Sequence, residues 1–305
     1  MPSLSRFRSI PITVSARRKG LVIMLASAGI FAVMGLLMKL LGPEYRVWDI
    51  AIYRFVGGAV ILGALFRFNR HLLRPARPRL MLVRGVVGSI AFLSITYAIR
   101  SIPFSTAMVL FYSFPAFAAL FSTCISPERL SLYEIICILA ALVGVGVIFD
   151  FRPEGDVIGQ AMAVLGAVFA GLTVAIIRDL RRDHGPVMIY FYFCVIGSCI
   201  CIVPFMQNPQ IPFHGTDLMI VGGILASSIV AQILMNQGFS YCKSWEGGLF
   251  MTSEVVFAAL LGVLFLGESV TWRLLAGGLL IFAGGAAIRY QFPRGDHPPR
   301  TTAHR

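Results

Sequence analysis

A few charged side chains stand inside the long apolar stretches of this chain, and they are its first candidates for chemistry. Glu254 lies in FMTSEVVFAALLGVLFLGE (250–268), and Arg54 and Arg84 lie in two similar stretches. A buried carboxylate can take up a proton or pair with an amine, whereas a guanidinium can hold a carboxylate or phosphate bidentately. Each group could instead form a structural ion pair, and an arginine near a helix end can extend its charge to the membrane surface.

Uncharged polar and aromatic side chains in the same stretches form a second set of candidates. Gln232 and Asn236 are four residues apart, so a helix would place them on one face, where both could line a cavity. Tyr97 and Tyr112 could stack against a flat or cationic substrate. Structural alternatives stay open for all four, because amides also join helices in lipid and aromatic side chains commonly serve packing.

Three further residues suggest structural roles. Pro115 would bend or break its helix, because proline lacks a backbone N–H and its ring clashes with the preceding turn. Glu128 and Glu268 each stand just before a predicted helix, where a carboxylate stabilises the N-terminus by capping and by its interaction with the helix dipole. The six cysteines form no metal-ligand spacing, so we expect neither a metal site nor a cofactor.

Long apolar helices must position these residues. Only 13% of the residues are charged and 57% are hydrophobic, whereas a soluble domain has about a quarter charged residues. The apolar stretches are about 20 residues long, which is the length of a membrane-spanning helix, and they are continuous rather than alternating as in a transmembrane β-barrel. Ten such spans are predicted: 21–41, 48–66, 80–99, 103–125, 131–149, 157–177, 186–206, 218–239, 247–266 and 270–289. The chain is therefore predicted to be an all-α integral membrane protein.

The placement of the basic residues predicts how the chain is oriented. The net charge is +12, and 19 of the 26 lysines and arginines fall in the N-terminal segment, the C-terminal segment and every second connection. The other connections hold five, and Arg54 and Arg84 lie inside spans. Because cytoplasmic loops carry the excess of basic residues, both termini are predicted to lie in the cytoplasm, with the protein in a bacterial-type cytoplasmic (inner) membrane.

An internal repeat links the two halves of the chain. At a constant shift of 140 positions, Ser113 matches Ser253, Glu128 matches Glu268 and several apolar residues between them also match. Five helices per half is an odd number, so the second half must enter the membrane from the opposite face and form an inverted repeat. Val255 stands where the first half has Pro115, so the two halves need not bend alike.

The repeat gives a domain division. The first repeat is predicted at 21–149 and the second at 157–290, with short cytoplasmic tails at 1–20 and 291–305. Inverted repeats related by an axis in the membrane plane are a recurring architecture of secondary transporters. Such repeats can exchange conformations and open a central site to either side of the membrane in turn.

The two halves also resemble a known family. PERLSLYEIICILAALVGVGVIF (127–149) and GESVTWRLLAGGLLIFAGGAAI (267–288) are similar to the ending of the EamA repeat, and SFPAFAALF (113–121) to its fourth-helix proline motif. This resemblance to EamA-type permeases of the drug/metabolite transporter superfamily implies a ten-helix carrier. Lys39 at the end of the first helix, with Arg54 and Arg84, resembles the branch associated with S-adenosylmethionine uptake.

The expected function is therefore secondary transport, without ATP, of a small polar metabolite by alternating access. S-adenosylmethionine or an amino-acid-like compound is the expected substrate class, with proton coupling or exchange as the driving force. The alternative is a membrane-embedded enzyme or a non-transport membrane protein. No HExxH, GxSxG or P-loop pattern occurs, so no enzyme is expected. The expected partners are the substrate and the lipid bilayer, with no nucleic acid, in a monomer or homodimer.

Overall fold

The fold is entirely helical over the part of the chain that the structure describes. The computed structural model describes residues 14–66, 75–102, 104–125, 131–148, 157–212, 214–242 and 244–266, with 272, 275–277, 279–280 and 283. No strand occurs among these residues. The helices are α1 Val14–Leu40, α2 Val47–Phe66, α3 Pro78–Ser101, α4 Phe104–Phe111, α5 Phe114–Ile125, α6 Leu132–Ile148, α7 Val157–Leu180, α8 Pro186–Met206, α9 Gly215–Gly238, α10 Ser244–Met251 and α11 Ser253–Leu266.

Among the described residues, seven helical segments are long and apolar enough to cross a membrane: Arg18–Leu40, Val47–Leu65, Pro78–Ser101, Val157–Leu180, Pro186–Met206, Gly215–Gly238 and Gly247–Phe265. Large apolar side chains on their outer faces are exposed, such as Leu264 at 74% and Met219 at 79%. Lipid solvates such surfaces, so the chain is a multi-pass membrane protein.

The expected number of ten spans stays a prediction. The expected fourth span is divided between α4 and α5, and the fifth corresponds to α6, which has 17 residues. Most of the expected tenth span, 270–289, lies outside the described residues. Glu128 and Glu268 also lie outside them.

Two helices are interrupted at corresponding places. α4 ends at Phe111 and α5 begins at Phe114, so the break lies at Tyr112 and Ser113, and Pro115 is the second residue of α5. α10 ends at Met251 and α11 begins at Ser253, so the second break lies at Thr252, 140 positions after Tyr112. The two halves are therefore interrupted alike, although only the first has a proline.

Hydroxyl groups explain how the second break forms without proline. The Thr252 hydroxyl donates to the carbonyl of Leu249 at 2.6 Å, and the Ser253 hydroxyl donates to the carbonyl of Phe250. Back-bonding of this kind competes with the helical hydrogen bonds and bends helices. Ser113 makes the same contact in the first half, with the carbonyl of Leu110 at 2.6 Å.

Helices from the two halves of the chain interleave rather than forming separate bundles. α3 packs against α7, α1 against α9, α2 against α8, α5 against α7 and α1 against α11. Gly171 permits the approach of α7 to α5, because a Cβ atom there would lie 2.6 Å from the Phe117 Cβ and 2.7 Å from the Ala118 nitrogen. Ala167 and Gly171 therefore give the close packing expected of a small-xxx-small pair.

Polar contacts fasten the interleaved helices at both ends. At one end, the Tyr45 hydroxyl donates to Asp217 at 2.9 Å, and Arg46 donates to the buried Asp49 and to the carbonyl of Phe205. Burial, followed by the hydrogen bond to Asp217, raises the pKa of Tyr45 to about 12, so its hydroxyl keeps the donated proton.

At the other end, Arg77 binds two carboxylates, at 2.5 Å for Asp179 in the last turn of α7 and at 2.6 Å for Asp183 in the α7–α8 connection. The backbone N–H of Ala76 donates to His184 Nε2 at 3.0 Å. The beginning of α3 is thus joined to the connection between α7 and α8, in the second half of the chain.

We expect Gly171→Ala to destabilise the protein by about 1–3 kcal/mol, the usual cost of overpacking a close interface. The added methyl would meet backbone atoms of α5, which cannot move aside cheaply. The measurement is thermal unfolding of the purified protein in detergent.

Gly222→Ala on α9 is the matched control, because a Cβ atom there would meet nothing within 4 Å. Equal melting temperatures for the two variants would contradict the close approach of α7 and α5.

Candidate functional site

A cavity of about 170 Å³ lies among the interleaved helices, with walls from both halves of the chain. Most of its lining is apolar, chiefly phenylalanine and methionine side chains. The polar side chains that line it are Arg54, Arg84, Thr96, Tyr112, Thr173, Gln232 and Glu254. The walls are thus largely apolar, with a few polar groups, which is the composition typical of small-molecule sites.

Arg54 on α2 is 2% exposed and is held by polar and aromatic neighbours. Its Nε–H donates to the hydroxyl of Ser228 on α9, which also shares a hydrogen bond of 2.9 Å with Tyr190. The guanidinium carbon lies 4.0 Å from the centre of the Phe92 ring and 5.6 Å from that of Phe193. These contacts fix the direction of the side chain without neutralising its charge.

Arg84 on α3 is 1% exposed, and most of its hydrogen-bonding capacity is unused. Its Nη2 lies 3.4 Å from Gln232 Oε1, which is a long contact, while Nε and Nη1 have no hydrogen-bond partner within the described part of the chain. Its guanidinium carbon lies 4.3 Å from the centre of the Phe193 ring, so one aromatic ring contacts both arginines. Among the described residues, no carboxylate lies within 4 Å of either guanidinium.

Gly88 provides the room for the Arg84 guanidinium. A Cβ atom at position 88 would lie 2.0 Å from Arg84 Nη1 and 3.1 Å from the Phe193 ring. Gly88 stands one helical turn after Arg84, so the side chain folds over its own helix into the space that glycine leaves open.

Glu254 reaches the cavity from the break between α10 and α11. It is the second residue of α11, is partly accessible, and interacts with the hydroxyl of Tyr112. Tyr112 is 1% exposed and stands in the break between α4 and α5. The two helix breaks therefore meet at this contact, and Arg54 is close enough to interact electrostatically with the carboxylate.

The structure thus brings together five of the sequence-predicted candidates: Glu254, Arg54, Arg84, Gln232 and Tyr112. It does not bring Asn236 to the cavity, because its Nδ2 donates to the carbonyl of Pro186 at the beginning of α8. Tyr97 does not line the cavity either and is 39% exposed on the outer side of α3.

Several neighbours of the candidates were not expected from the sequence. Ser228, four residues before Gln232 on α9, orients Arg54, and its spacing could have suggested this. Phe92 and Phe193 hold the guanidiniums but have no distinguishing sequence pattern among 24 phenylalanines. Among the described residues, no group of three metal-ligating side chains occurs.

The fold and this cavity define a helical membrane protein with an internal, largely apolar cavity that contains a few polar groups. The chain belongs to the EamA-like transporter family, which matches it twice, over residues 18–150 and 157–290. The resemblance to EamA-type permeases of the drug/metabolite transporter superfamily is thereby confirmed.

Characterised relatives are similar over most of the chain. Solute carrier family 35 member G1 of Homo sapiens is 27% identical, covering 88% of this chain and 79% of its own length. The pseudopaline exporter CntI of Pseudomonas aeruginosa is 25% identical, covering 89% and 96%. The S-adenosylmethionine uptake transporter of Rickettsia felis is 20% identical, covering 83% and 86%. The family and these relatives are named as transporters rather than as enzymes.

A solved crystal structure has the same fold. It superposes with a TM-score of 0.74 at 18% sequence identity and covers 90% of this chain and 96% of its own. At this identity the likeness concerns the fold alone.

A double-mutant cycle tests the contact between the two helix breaks. We expect the Tyr112 hydroxyl to donate to Glu254, so Tyr112→Phe and Glu254→Gln should be non-additive in the free energy of unfolding by about 0.5–1.5 kcal/mol, the usual net value of a hydrogen bond. The measurement is denaturant-induced unfolding of each variant in detergent micelles.

Tyr97→Phe with Glu254→Gln is the control pair and should be additive, because Tyr97 lies outside the cavity. Additivity of the Tyr112 pair as well would contradict the hydrogen bond at the meeting of the helix breaks.

Proposed function

We propose that this protein is a secondary transporter that carries a small polar metabolite by alternating access. The observation that carries the proposal is the convergence of Arg54, Arg84 and Glu254 on one cavity inside a membrane protein. Each charge at membrane depth costs about 2.5–3.5 kcal/mol on insertion scales, so such groups mark substrate or ion pathways. The transporter names of the family and of its relatives support the same conclusion.

The mechanism that we propose uses two inverted repeats. Exchange of the two halves maps α1 onto α7, α3 onto α9, and the broken helix α4–α5 onto α10–α11. The packing of α3 against α7 then corresponds to that of α1 against α9, and α5 against α7 corresponds to α1 against α11. These matching contacts and the matching helix breaks support a symmetric exchange of conformations around the cavity.

The orientation follows from the charge distribution along the chain. We place both termini in the cytoplasm of a bacterial-type cell, with the chain in the cytoplasmic membrane. The ion pairs of Arg77 would then lie on the cytoplasmic side. The hydrogen bond of Tyr45 and the polar contacts of Arg46 would lie on the outer side. At both ends, these contacts join the two halves of the chain. The contacts on one side of the membrane would therefore have to break when the cavity opens to that side.

The substrate class that we propose is an amino acid or an amino-acid derivative such as S-adenosylmethionine. A carboxylate would bind at the arginines, and an amine would bind at Glu254 and Tyr112. One relative is named for S-adenosylmethionine uptake and another for export, so the relatives support either direction of transport.

Glu254 is the group that we propose for proton coupling. Its carboxylate lies in an apolar cavity beside Tyr112 and near Arg54, and no other acidic side chain among the described residues lines this cavity. A proton and a substrate amine would therefore compete for the same carboxylate. This competition is the simplest way to couple their movements.

Transport into proteoliposomes tests both parts of the proposal. The purified protein should take up at least one member of a panel of labelled amino acids and S-adenosylmethionine with saturable kinetics. An imposed pH gradient should accelerate this uptake. Glu254→Gln should lose the acceleration, because glutamine cannot exchange a proton, while exchange of internal for external substrate persists at a lower rate.

Gln160→Glu on α7 is a control that adds a carboxylate without changing a residue of the cavity lining. Uptake that rises linearly with concentration for every compound would contradict the transporter function. Equal acceleration of the parent and of Glu254→Gln by the gradient would remove Glu254 from coupling.

A further inference from the structure

The charged residues of the cavity restrict the net charge of the substrate, which the size and polarity of the cavity do not. We propose that the substrate is a net anionic metabolite of the amino-acid type, whose additional oxyanion, a carboxylate or a phosphate, binds between Arg54 and Arg84. This inference rests on the proposed transport function, and it names which members of the proposed substrate class fit the site.

The balance of charge in the cavity is positive. Of the described residues that line it, two carry a guanidinium and one carries a carboxylate. This excess holds whether Glu254 is ionised or protonated. Because a buried charge without a partner costs several kcal/mol, an anionic ligand beside the two guanidiniums would be stabilised by compensating this excess.

Arg84 is the cavity residue with the most hydrogen-bond donors left without an acceptor among the described residues. It is 1% exposed, and among the described residues its Nε and Nη1 have no hydrogen-bond partner, while the acceptor of Nη2, Gln232 Oε1, is 3.4 Å away. Nε and an Nη atom of a guanidinium form the fork that binds an oxyanion bidentately. Arg84 also lines the cavity, so a ligand there could satisfy these donors.

Arg54 forms the second half of the same subsite. Its Nε–H is used by Ser228, but among the described residues no acceptor is bonded to its two terminal nitrogens. The Phe193 ring contacts both guanidiniums, and the Phe92 ring contacts that of Arg54. Aromatic faces attract cations but accept no conventional hydrogen bond, so the two arginines are held in place with donors to spare.

Gly88 makes this subsite a built feature of α3. Any larger residue there would place its Cβ atom 2.0 Å from Arg84 Nη1. Because the obstructing atom would be at the end of a flexible side chain, an alanine would redirect the guanidinium at little cost in packing. Gly88 is therefore a positioning residue for the oxyanion subsite.

Glu254 gives the cavity lining one carboxylate, which suits a single ammonium group. Glu254 and Tyr112 supply the carboxylate and a neighbouring hydroxyl. S-adenosylmethionine carries a sulfonium, an ammonium and a carboxylate, so its net charge is positive and adds to the excess already present. An acidic amino acid or a phosphorylated one has the opposite net charge and compensates that excess.

Ligand binding by the purified full-length protein in detergent tests the proposal. The probes are L-glutamate, O-phospho-L-serine, L-glutamine and S-adenosylmethionine, with dissociation constants from isothermal titration calorimetry. We expect at least one of the two acids to bind tenfold or more tightly than glutamine and S-adenosylmethionine. The ranking of the two acids identifies the oxyanion, because one presents a carboxylate and the other a phosphate.

Arg84→Gln should remove the preference for the acids, and Arg54→Lys, which keeps the charge but not the fork, should weaken it. Gly88→Ala should weaken the preference for the acids about tenfold, although this variant retains every charge of the cavity. Arg79→Gln, an exposed arginine at the beginning of the same helix, is the matched control and should bind as the parent does. Arg84→Gln removes an unpaired buried charge, so its melting temperature should not fall.

Equal or tighter binding of glutamine or S-adenosylmethionine would overturn the proposal, and so would the absence of binding by both acids or an unchanged preference in Arg84→Gln. Transport separates this failure from that of the proposed function. Saturable uptake of a neutral or cationic compound would leave the transporter standing without the anionic selectivity. Binding of the acids without any uptake would support the anionic selectivity and contradict the proposed transport function.

Discussion

The membrane interior offers a buried charge no water, so the protein or its ligand must compensate every guanidinium held there. The interleaved helices do this only in part. They supply Arg54 with a hydroxyl and aromatic rings, and Arg84 with aromatic contact and a distant amide. Neither arginine receives a carboxylate partner within 4 Å among the described residues, although Glu254 lies in the same cavity. The fold therefore keeps separated charges that could otherwise have paired.

The two helix breaks supply the side chains that face these arginines across the cavity lining. Each exposes the end of a short helix at membrane depth, and each places one side chain, Tyr112 or Glu254, at the cavity. The sequence forms the first break with a proline and the Ser113 hydroxyl, and the second with the hydroxyls of Thr252 and Ser253. Irregular backbone at this depth is tolerated where it lines a cavity. The breaks therefore contribute Tyr112 and Glu254, while α2 and α3 contribute the arginines.

The sequence predicted the helical membrane architecture and most of the cavity's polar groups, because few polar residues occur in long apolar stretches. It could not predict which side of a helix faces inward. Gln232 and Asn236 share a face of α9, yet the next turn lies beside the beginning of α8, where Asn236 binds Pro186. Ser228 lies four residues before Gln232 on the same face and accepts a hydrogen bond from Arg54. Side chains on one face of α9 thus contact three different neighbours, and the packing of the helices determines which neighbour each one contacts.

The partly compensated charges of the cavity bear on the alternating access that we propose. Its volume of about 170 Å³ is smaller than the roughly 300–1,000 Å³ of typical ligand pockets, so a larger ligand would require the walls to move apart. A ligand shifts a conformational equilibrium only by its difference in affinity between the states. The Arg84 donors that have no partner among the described residues would supply such a difference, because an oxyanion would satisfy them most strongly where the walls exclude water. A bound anion would therefore favour a conformation whose walls close around the two arginines.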